Sequence, residues 1–590
     1  MKNQLITFKT IFRLILSQRP SLIWGQIATF LAIAVSIPIP LMLPVLVDEV
    51  LLNKPGVIVD TIDSFLGSGS AFYYIAIVAL VVMFLRLFHF LLSAVITKIF
   101  THIAKYVTFE IRKRLLEHLQ KVCMNEYETL GSGAITSNLV TDVNTLDSFI
   151  ITSASKFISS VLTLVAISIV MILIHPILGI MILVIQPLII FFSKKIAKTT
   201  GVLKKQENHS IESFQDNLGE TLELFGQIKA SNKEKYFFDD SISKAYNIQR
   251  TSNEYSYKSV AYERFSFTIF LLAFEVLRAS GLLMVAYSDL SIGMMFAMFG
   301  YIWFIMTPVQ DILSMQYSYT NAKSSLYRIN KILSLHTEAQ GDKKIDDRKG
   351  MTICIQNISF SYNDDKTILN GISLDIKPKQ HIALIGASGS GKTTLAQIIA
   401  GFYEQDSGSI TYNGIQIEDL DKSSLRESIF LVLQMPILFN NTLRFNITMG
   451  NKNISDQEIF KALEIAQLKE IVLDMSYQLD TIVGRHGIRL SGGQRQRISI
   501  ARMIIANPKV VIFDESTSAL DVYTEYSLFN TLNPILKEKT LITIAHRLST
   551  VKNADIIYVL EEGKIVEEGT HEELEIEDGH YNQFIKNQLI

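Results

Sequence analysis

The chain has 590 residues, hydrophobic side chains at 48% of its positions and a formal net charge of −2, a length that suggests two or more domains. With near-neutral charge and no basic patch interleaved with aromatics, no nucleic-acid partner is expected. Cys123 and Cys354 are the only cysteines and have no CxxC spacing, which argues against a disulfide framework or zinc site and for free thiols on the cytosolic side.

The N-terminal segment lacks a short apolar core followed by a small-residue cleavage site, so the first apolar block reads as a retained membrane span. Six apolar stretches, near 22–47, 71–97, 152–174, 177–195, 264–287 and 293–314, each supply the ~20 residues that a spanning helix requires. Spans three and four are divided by His175-Pro176, and five and six by Ser288–Ser291. The loop at 48–70 holds a single Lys or Arg, Lys54, whereas the N-terminal residues and the segments 98–151 and 196–263 are rich in Lys and Arg. The positive-inside rule places those basic segments, both termini and everything after span six in the cytoplasm. The expected location is the cytoplasmic (inner) membrane of a bacterium.

The two cytoplasmic connections contain no proline, and apolar residues recur at helical spacing in the first (Ile111, Leu115, Leu116, Leu119, Val122). They are predicted to continue the membrane helices into the cytosol and turn back near Gly131–Gly133 and Gly226. Four ionisable residues fall inside spans: Arg86 and His89 in span two, Glu275 and Arg278 in span five. Arg86 and Glu275 lie about 22 and 18 Å from the outer ends at helical rise, so an ion pair and a polar patch in a translocation cavity both remain open. Span six is rich in Met and aromatic residues from Met294 to Met306, which suits either packing or a repackable cavity wall.

Beyond a polar linker, Ile382–Ile385 read as a strand entering Gly386-Ala387-Ser388-Gly389-Ser390-Gly391-Lys392-Thr393-Thr394, and helical periodicity follows (Leu395, Ile398, Ile399). This strand–loop–helix matches the phosphate loop G-x-x-x-x-G-K-[ST], whose backbone N–H groups close around phosphate oxygens. In that motif Lys392 reaches the β/γ-phosphates and the Thr393 hydroxyl binds Mg²⁺. A hundred residues later comes Leu490-Ser491-Gly492-Gly493-Gln494, with a helix predicted over Gln494–Ala506, and then the buried-strand pattern Lys509–Phe513 ending in Asp514-Glu515.

With these strings the chain resembles the ATP-binding cassette (ABC) superfamily from about residue 351 to 590, and its membrane half resembles the exporter-type transmembrane domain. The fold implied is an all-α six-helix membrane domain with long intracellular helices (1–320), a linker (321–350), and an α/β P-loop nucleotide-binding domain (351–590). The resemblance implies that Tyr362 stacks on adenine, that Gln434 senses Mg²⁺, and that Asp514 holds Mg²⁺ through water. It further implies that Glu515 is the general base, His546 the γ-phosphate switch, and Ser518–Asp521 the D-loop. ATP and Mg²⁺ are the cofactors expected.

In the family, Ser491–Gln494 of one domain completes the phosphate loop of another, so one loop and one signature per chain imply a head-to-tail homodimer. Coupling helices would lie near Gly133–Val140 and Glu212–Glu220. Before the signature, Gly484-Arg485-His486-Gly487 replaces the family's Gly-Glu-Arg-Gly-like segment, and the charge reversal at Arg485 calls for an acidic partner such as Glu212 or Glu220. The function expected is ATP-driven export of an amphipathic lipid, drug or peptide. An importer built on the same fold and an ATP-gated channel or regulator are the alternatives.

Overall fold

The computed structural model describes residues 5–54, 56–345, 350–362, 366–484, 487–515, 519–545, 551–577 and 579–588, with the backbone alone at 154, 185–190, 192–198, 313, 316, 317, 522, 587 and 588. It forms two compact units, Met1–Gln120 with Ser132–Ser334, and Lys121–Gly131 with Leu335–Ile590.

The first unit is helical. Five helical runs among the described residues are long and apolar enough to cross a membrane: Arg19–Leu51, Ala71–Leu119, Ser132–Ile174, Glu234–Tyr287 and Ile292–Ile312. The remaining predicted span, 177–195, lies in the continuous helix Pro176–Glu223. Helix Ala71–Leu119 has 49 residues, roughly 74 Å at helical rise and more than twice the ~30 Å hydrocarbon core, so it extends well beyond the bilayer. Its C-terminal half buries Ile103, Val107, Ile111 and Leu115 at helical spacing. Helices Pro176–Glu223 and Glu234–Tyr287 form a second long antiparallel pair.

Two helices were not anticipated from the sequence. An amphipathic helix, Phe8–Ser17, buries Ile11 and Ile15 ahead of the first span. Just before it, the Ile6 backbone exchanges hydrogen bonds of 2.7 and 2.8 Å with the Asn330 amide. The loop after the first span carries a helix, Val57–Leu66. The connections turn where expected, at short helices Met124–Leu130, which ends at Gly131, and Phe225–Ala230, which contains Gly226. Residues 133–140 instead belong to the next helical run, and 212–220 lie inside helix Pro176–Glu223.

The last membrane helix runs from Ile292 to Leu333, so 321–333, read from composition as linker, are helical. Buried Ala322, Leu326, Ile329 and Leu333 recur at helical spacing there, a periodicity hidden among polar neighbours. At its other end the buried carboxylate of Asp48 accepts from the Ser291 hydroxyl (2.5 Å) and the Gly293 N–H (3.0 Å). A Cβ at Gly293 would lie 2.6 Å from Pro44 Cα, so only glycine allows this approach.

The Met and aromatic run divides by face. Met295, Met298, Tyr301, Ile302 and Ile305 are buried in a cluster with Leu164, Ile167 and Met171, while Phe296 and Trp303 are exposed. Among the charged span residues, Glu275 pairs with Arg278 in its own helix at 2.5 Å. His89 Nδ1 lies 3.0 Å from the Ala32 carbonyl, and no ion pair among the described residues joins Arg86 to Glu275.

The second unit contains two sheets. Strands β1 (Ile353–Ser361), β2 (Thr367–Ile376), β4 (Ser407–Tyr412) and β5 (Ile415–Gln416) form an antiparallel sheet in the order β2-β1-β4-β5. The other, ordered β10-β9-β3-β8-β7-β6, contains β3 (His381–Gly386), β6 (Ile429–Val432), β7 (Val510–Asp514), β8 (Thr540–Ile544), β9 (Ile556–Glu561) and β10 (Lys564–Gly569). All its pairings are parallel except β9–β10. Strand β7 is buried at every position, as an apolar strand covered on both faces must be.

Candidate nucleotide site

The C-terminal ends of β3, β6, β7 and β8 lie along one edge of the parallel sheet, where open α/β sheets bind ligands. Strand β3 runs into the phosphate loop, which opens helix Lys392–Ile399. Gly386, Gly389 and Gly391 take φ of 146°, 81° and 100°, and a Cβ at Gly386 would lie 2.0 Å from the Leu560 carbonyl oxygen. Lys392 is buried, and its ammonium donates to the carbonyls of Gly386 (2.9 Å) and Ala387 (2.8 Å). Burial lowers its pKa, against the opposing pull of Glu515 and Asp514. The loop side chains Ser388 and Ser390 flank Gly389, and Ser390 is buried.

The Thr393 hydroxyl donates to Asp514 Oδ1 at 3.2 Å, joining the loop to the end of β7. Glu515 follows in the left-handed region, at φ 45°, a strained conformation for a residue with a Cβ. The Gln434 amide donates to Glu515 Oε2 at 2.7 Å. Hydroxyl, carboxylate and amide oxygens are hard donors, and a cation held by few protein groups together with phosphate is the usual Mg²⁺ arrangement, so these residues fit that ion.

Tyr362 lies at the margin of the loop. Its hydroxyl is 3.1 Å from Thr394 Oγ1 and donates to Gln397 Oε1 at 3.4 Å. Its ring meets Phe360 and Tyr403 edge-on, at centroid distances of 5.0 and 5.3 Å. Tyr362 is 39% exposed, so part of its surface remains open beyond these contacts.

Ser491 caps helix Gly492–Ala506. Its hydroxyl accepts from Gln494 N (3.2 Å), and its own N–H donates to Gln494 Oε1 (2.9 Å). The helix starts two residues earlier than predicted because this reciprocal cap closes over both glycines. A Cβ at Gly493 would meet the Ala519 carbonyl at 3.1 Å, so the glycine admits the neighbouring turn. Asp521 caps helix Val522–Leu536, accepting from Thr524 N at 2.9 Å. His546, Ser518 and Arg485 lie outside the described residues.

Gln496 was missed from the sequence. It is buried, donates to the Gln434 carbonyl (2.9 Å) and accepts from Ala519 N (3.2 Å), linking the segment after β6 to the turn before Asp521. A polar residue at a buried position of the signature helix was the available signal.

A phosphate loop at the end of a parallel strand, facing a carboxylate pair on the next strand but one, defines a P-loop nucleotide triphosphatase, here in one chain with a multi-pass membrane domain. The family profile described as ABC transporter matches residues 369–518, and that described as ABC transporter transmembrane region matches 23–309. The ABC transporter ATP-binding protein YwjA of Bacillus subtilis is 31% identical over 81% of this chain and 84% of its own length. An ATP-dependent lipid A-core flippase of Pasteurella multocida is 30% identical over 81% of this chain and 82% of its own. A multidrug resistance ABC transporter ATP-binding and permease protein of Lactococcus lactis is 27% identical over 84% of each. The fold is that of a bacterial Atm1-family ABC exporter solved with ATP bound, at TM-score 0.85 and 22% identity, covering 97% of this chain and 98% of that one. The chain belongs to the ABC transporter family, as an exporter-type half-transporter whose ATPase is coupled to transport.

Proposed function

We propose that two copies of this chain form a head-to-tail homodimer that exports an amphipathic lipid, drug or peptide across a bacterial cytoplasmic membrane, with both termini cytosolic. The observation that carries the reading is the single phosphate loop and single signature turn per chain. The Ser491–Gln494 cap takes up the N–H groups of those two residues, and the N–H groups of Gly492 and Gly493 between them would serve as the anion site for a partner's nucleotide. Export, and an amphipathic substrate, are supported by relatives named for lipid A-core flipping and multidrug resistance.

In this reading Lys392 and the loop N–H groups hold the β/γ-phosphates, and Tyr362 stacks on adenine. Thr393 and Asp514, with Gln434, hold Mg²⁺, which neutralises phosphate charge when bound. Glu515 takes the proton of the attacking water, and Gln434 orients that carboxylate. His546 contacts the γ-phosphate.

The test is ATPase activity of the purified chain alone in lipid nanodiscs, titrated with lipids, amphipathic drugs and peptides. Cooperative, Mg²⁺-dependent turnover stimulated by one class is expected. A folded protein with no turnover would refute the self-sufficient homodimer.

A further inference from the structure

Lys121–Gly131, the tip between helix Ala71–Leu119 and the run beginning at Ser132, folds as part of the nucleotide-binding unit. Its backbone pairs with the segment after the last membrane helix. Cys123 N–H donates to the His336 carbonyl (3.0 Å), and Glu338 N–H donates to the Lys121 carbonyl (2.8 Å). That segment is tied in turn to the region after the phosphate-loop helix, with Arg426 donating to Glu338 (2.5 Å) and Ala339 N–H to Glu404 (3.0 Å).

Next to Glu404 stands Tyr403, which is buried. Its ring lies 5.3 Å from Tyr362 at an interplanar angle of 89° and 5.5 Å from Phe360. Its hydroxyl donates to Glu128 Oε2, on the tip helix Met124–Leu130, at 2.8 Å. One buried side chain thus touches the ring assigned to adenine at one end and the tip of the first membrane-helix connection at the other.

We propose that Tyr403 is a positioning residue that couples occupancy of the adenine platform to the docking of the tip helix, through its edge contact with Tyr362 and its hydrogen bond to Glu128. The inference rests on the reading of Tyr362 as the adenine-facing residue. A base stacked on Tyr362 fixes that ring's orientation. The perpendicular packing then holds Tyr403, and its hydroxyl holds Glu128 in place. The coupling runs through the ring rather than the hydroxyl, since the Tyr362 ring is the part that packs on Tyr403, whereas its hydroxyl meets Thr394 at the end of the phosphate loop.

Cys123 supplies the readout. It lies in the same tip, and burial together with Glu404, Glu338 and Glu126 pushes its thiol up to about 11, so loosening the tip speeds its alkylation. The experiment measures alkylation of Cys123 by iodoacetamide in full-length C354S protein in nanodiscs, with ADP or inorganic tripolyphosphate as the probe. ADP binding is measured in parallel by calorimetry. ADP is expected to slow Cys123 alkylation at least threefold, and tripolyphosphate to leave it unchanged. Y403F and E128A should each abolish the ADP effect while keeping ADP affinity within about twofold, and their combination should add nothing further. E128Q, which keeps an acceptor oxygen, should restore it.

An undiminished ADP effect in Y403F, or an equal response to tripolyphosphate, would overturn the coupling while leaving the nucleotide site intact. ADP binding without any change at Cys123 in the parent protein would do the same. A parent protein that binds no ADP would overturn the nucleotide reading itself.

Discussion

The Gln434 amide lies 2.7 Å from Glu515 Oε2, and strand register explains why. In the parallel pair β6–β7, Val432 is level with Phe513, so the residues two further along each strand emerge side by side at the sheet edge. Gln434 is held from behind by Gln496, and Glu515 by its left-handed backbone. The carboxylate proposed as general base is therefore positioned by the protein before substrate arrives. E515Q is expected to keep ATP binding and to reduce hydrolysis by at least ~100-fold, the scale of losing a general base. Steady-state phosphate release measures this, and turnover near that of the parent would remove Glu515 from the role.

His381 is enclosed between a backbone carbonyl and a hydroxyl. Its Nδ1 donates to the Asn553 carbonyl at 3.1 Å, and its Nε2 lies 3.1 Å from the Thr543 hydroxyl. Burial lowers its pKa below the ordinary 6.5, against the opposing pull of the Asn553 carbonyl and Asp555. The unfolded chain takes up this proton first, so the stabilisation is complete above about pH 6.5 and is lost as pH falls from there through the folded value. The apparent Tm should drop between about pH 7 and pH 5, with a shallower slope in H381Q. Equal slopes would rule out His381 as the origin.

Cys123 should be chemically quiet. With its thiol at about 11, its thiolate fraction at pH 8 is roughly 100-fold below that of an ordinary cysteine. Mass spectrometry after a timed exposure to iodoacetamide should show Cys123 largely unmodified in native protein and fully modified after denaturation. Rapid native labelling would show that the tip does not rest against Glu338 and Glu404.

Within the membrane unit, buried Asp142 accepts from Arg328 Nε (2.9 Å) and Nη2 (2.5 Å) and from the Ser325 hydroxyl (2.8 Å). This joins the helical run after the first connection to the last membrane helix, across 186 residues of sequence. D142A leaves Arg328 without its partner and is expected to cost about 3 kcal/mol, the low end for breaking a buried pair, because Arg328 is half exposed. The apparent Tm in detergent should fall by several degrees, and less in D142N. A shift under one degree for D142A would show that the pair contributes nothing net.

Much of this was legible in the sequence because its signals are local. A span needs only a run of apolar residues, and a phosphate loop only a strand, a spaced set of glycines and a helix, so Gly386–Thr394 and the membrane segments could be read directly. Asp514-Glu515 ended an apolar strand and was read the same way. What the tertiary structure decided depends on residues distant in sequence. Strand register set Gln434 against Glu515, and Gln496 gained its role only when two loops met over one helix. The polar stretch 321–333 became helix because Ala322, Leu326, Ile329 and Leu333 found a core to bury against. Above all, Lys121–Gly131 joined the nucleotide-binding unit through contacts such as Tyr403 to Glu128, 275 residues apart. Periodicity and motif spacing fix what a segment forms, whereas hydrogen bonds and packing between folded elements fix where it docks.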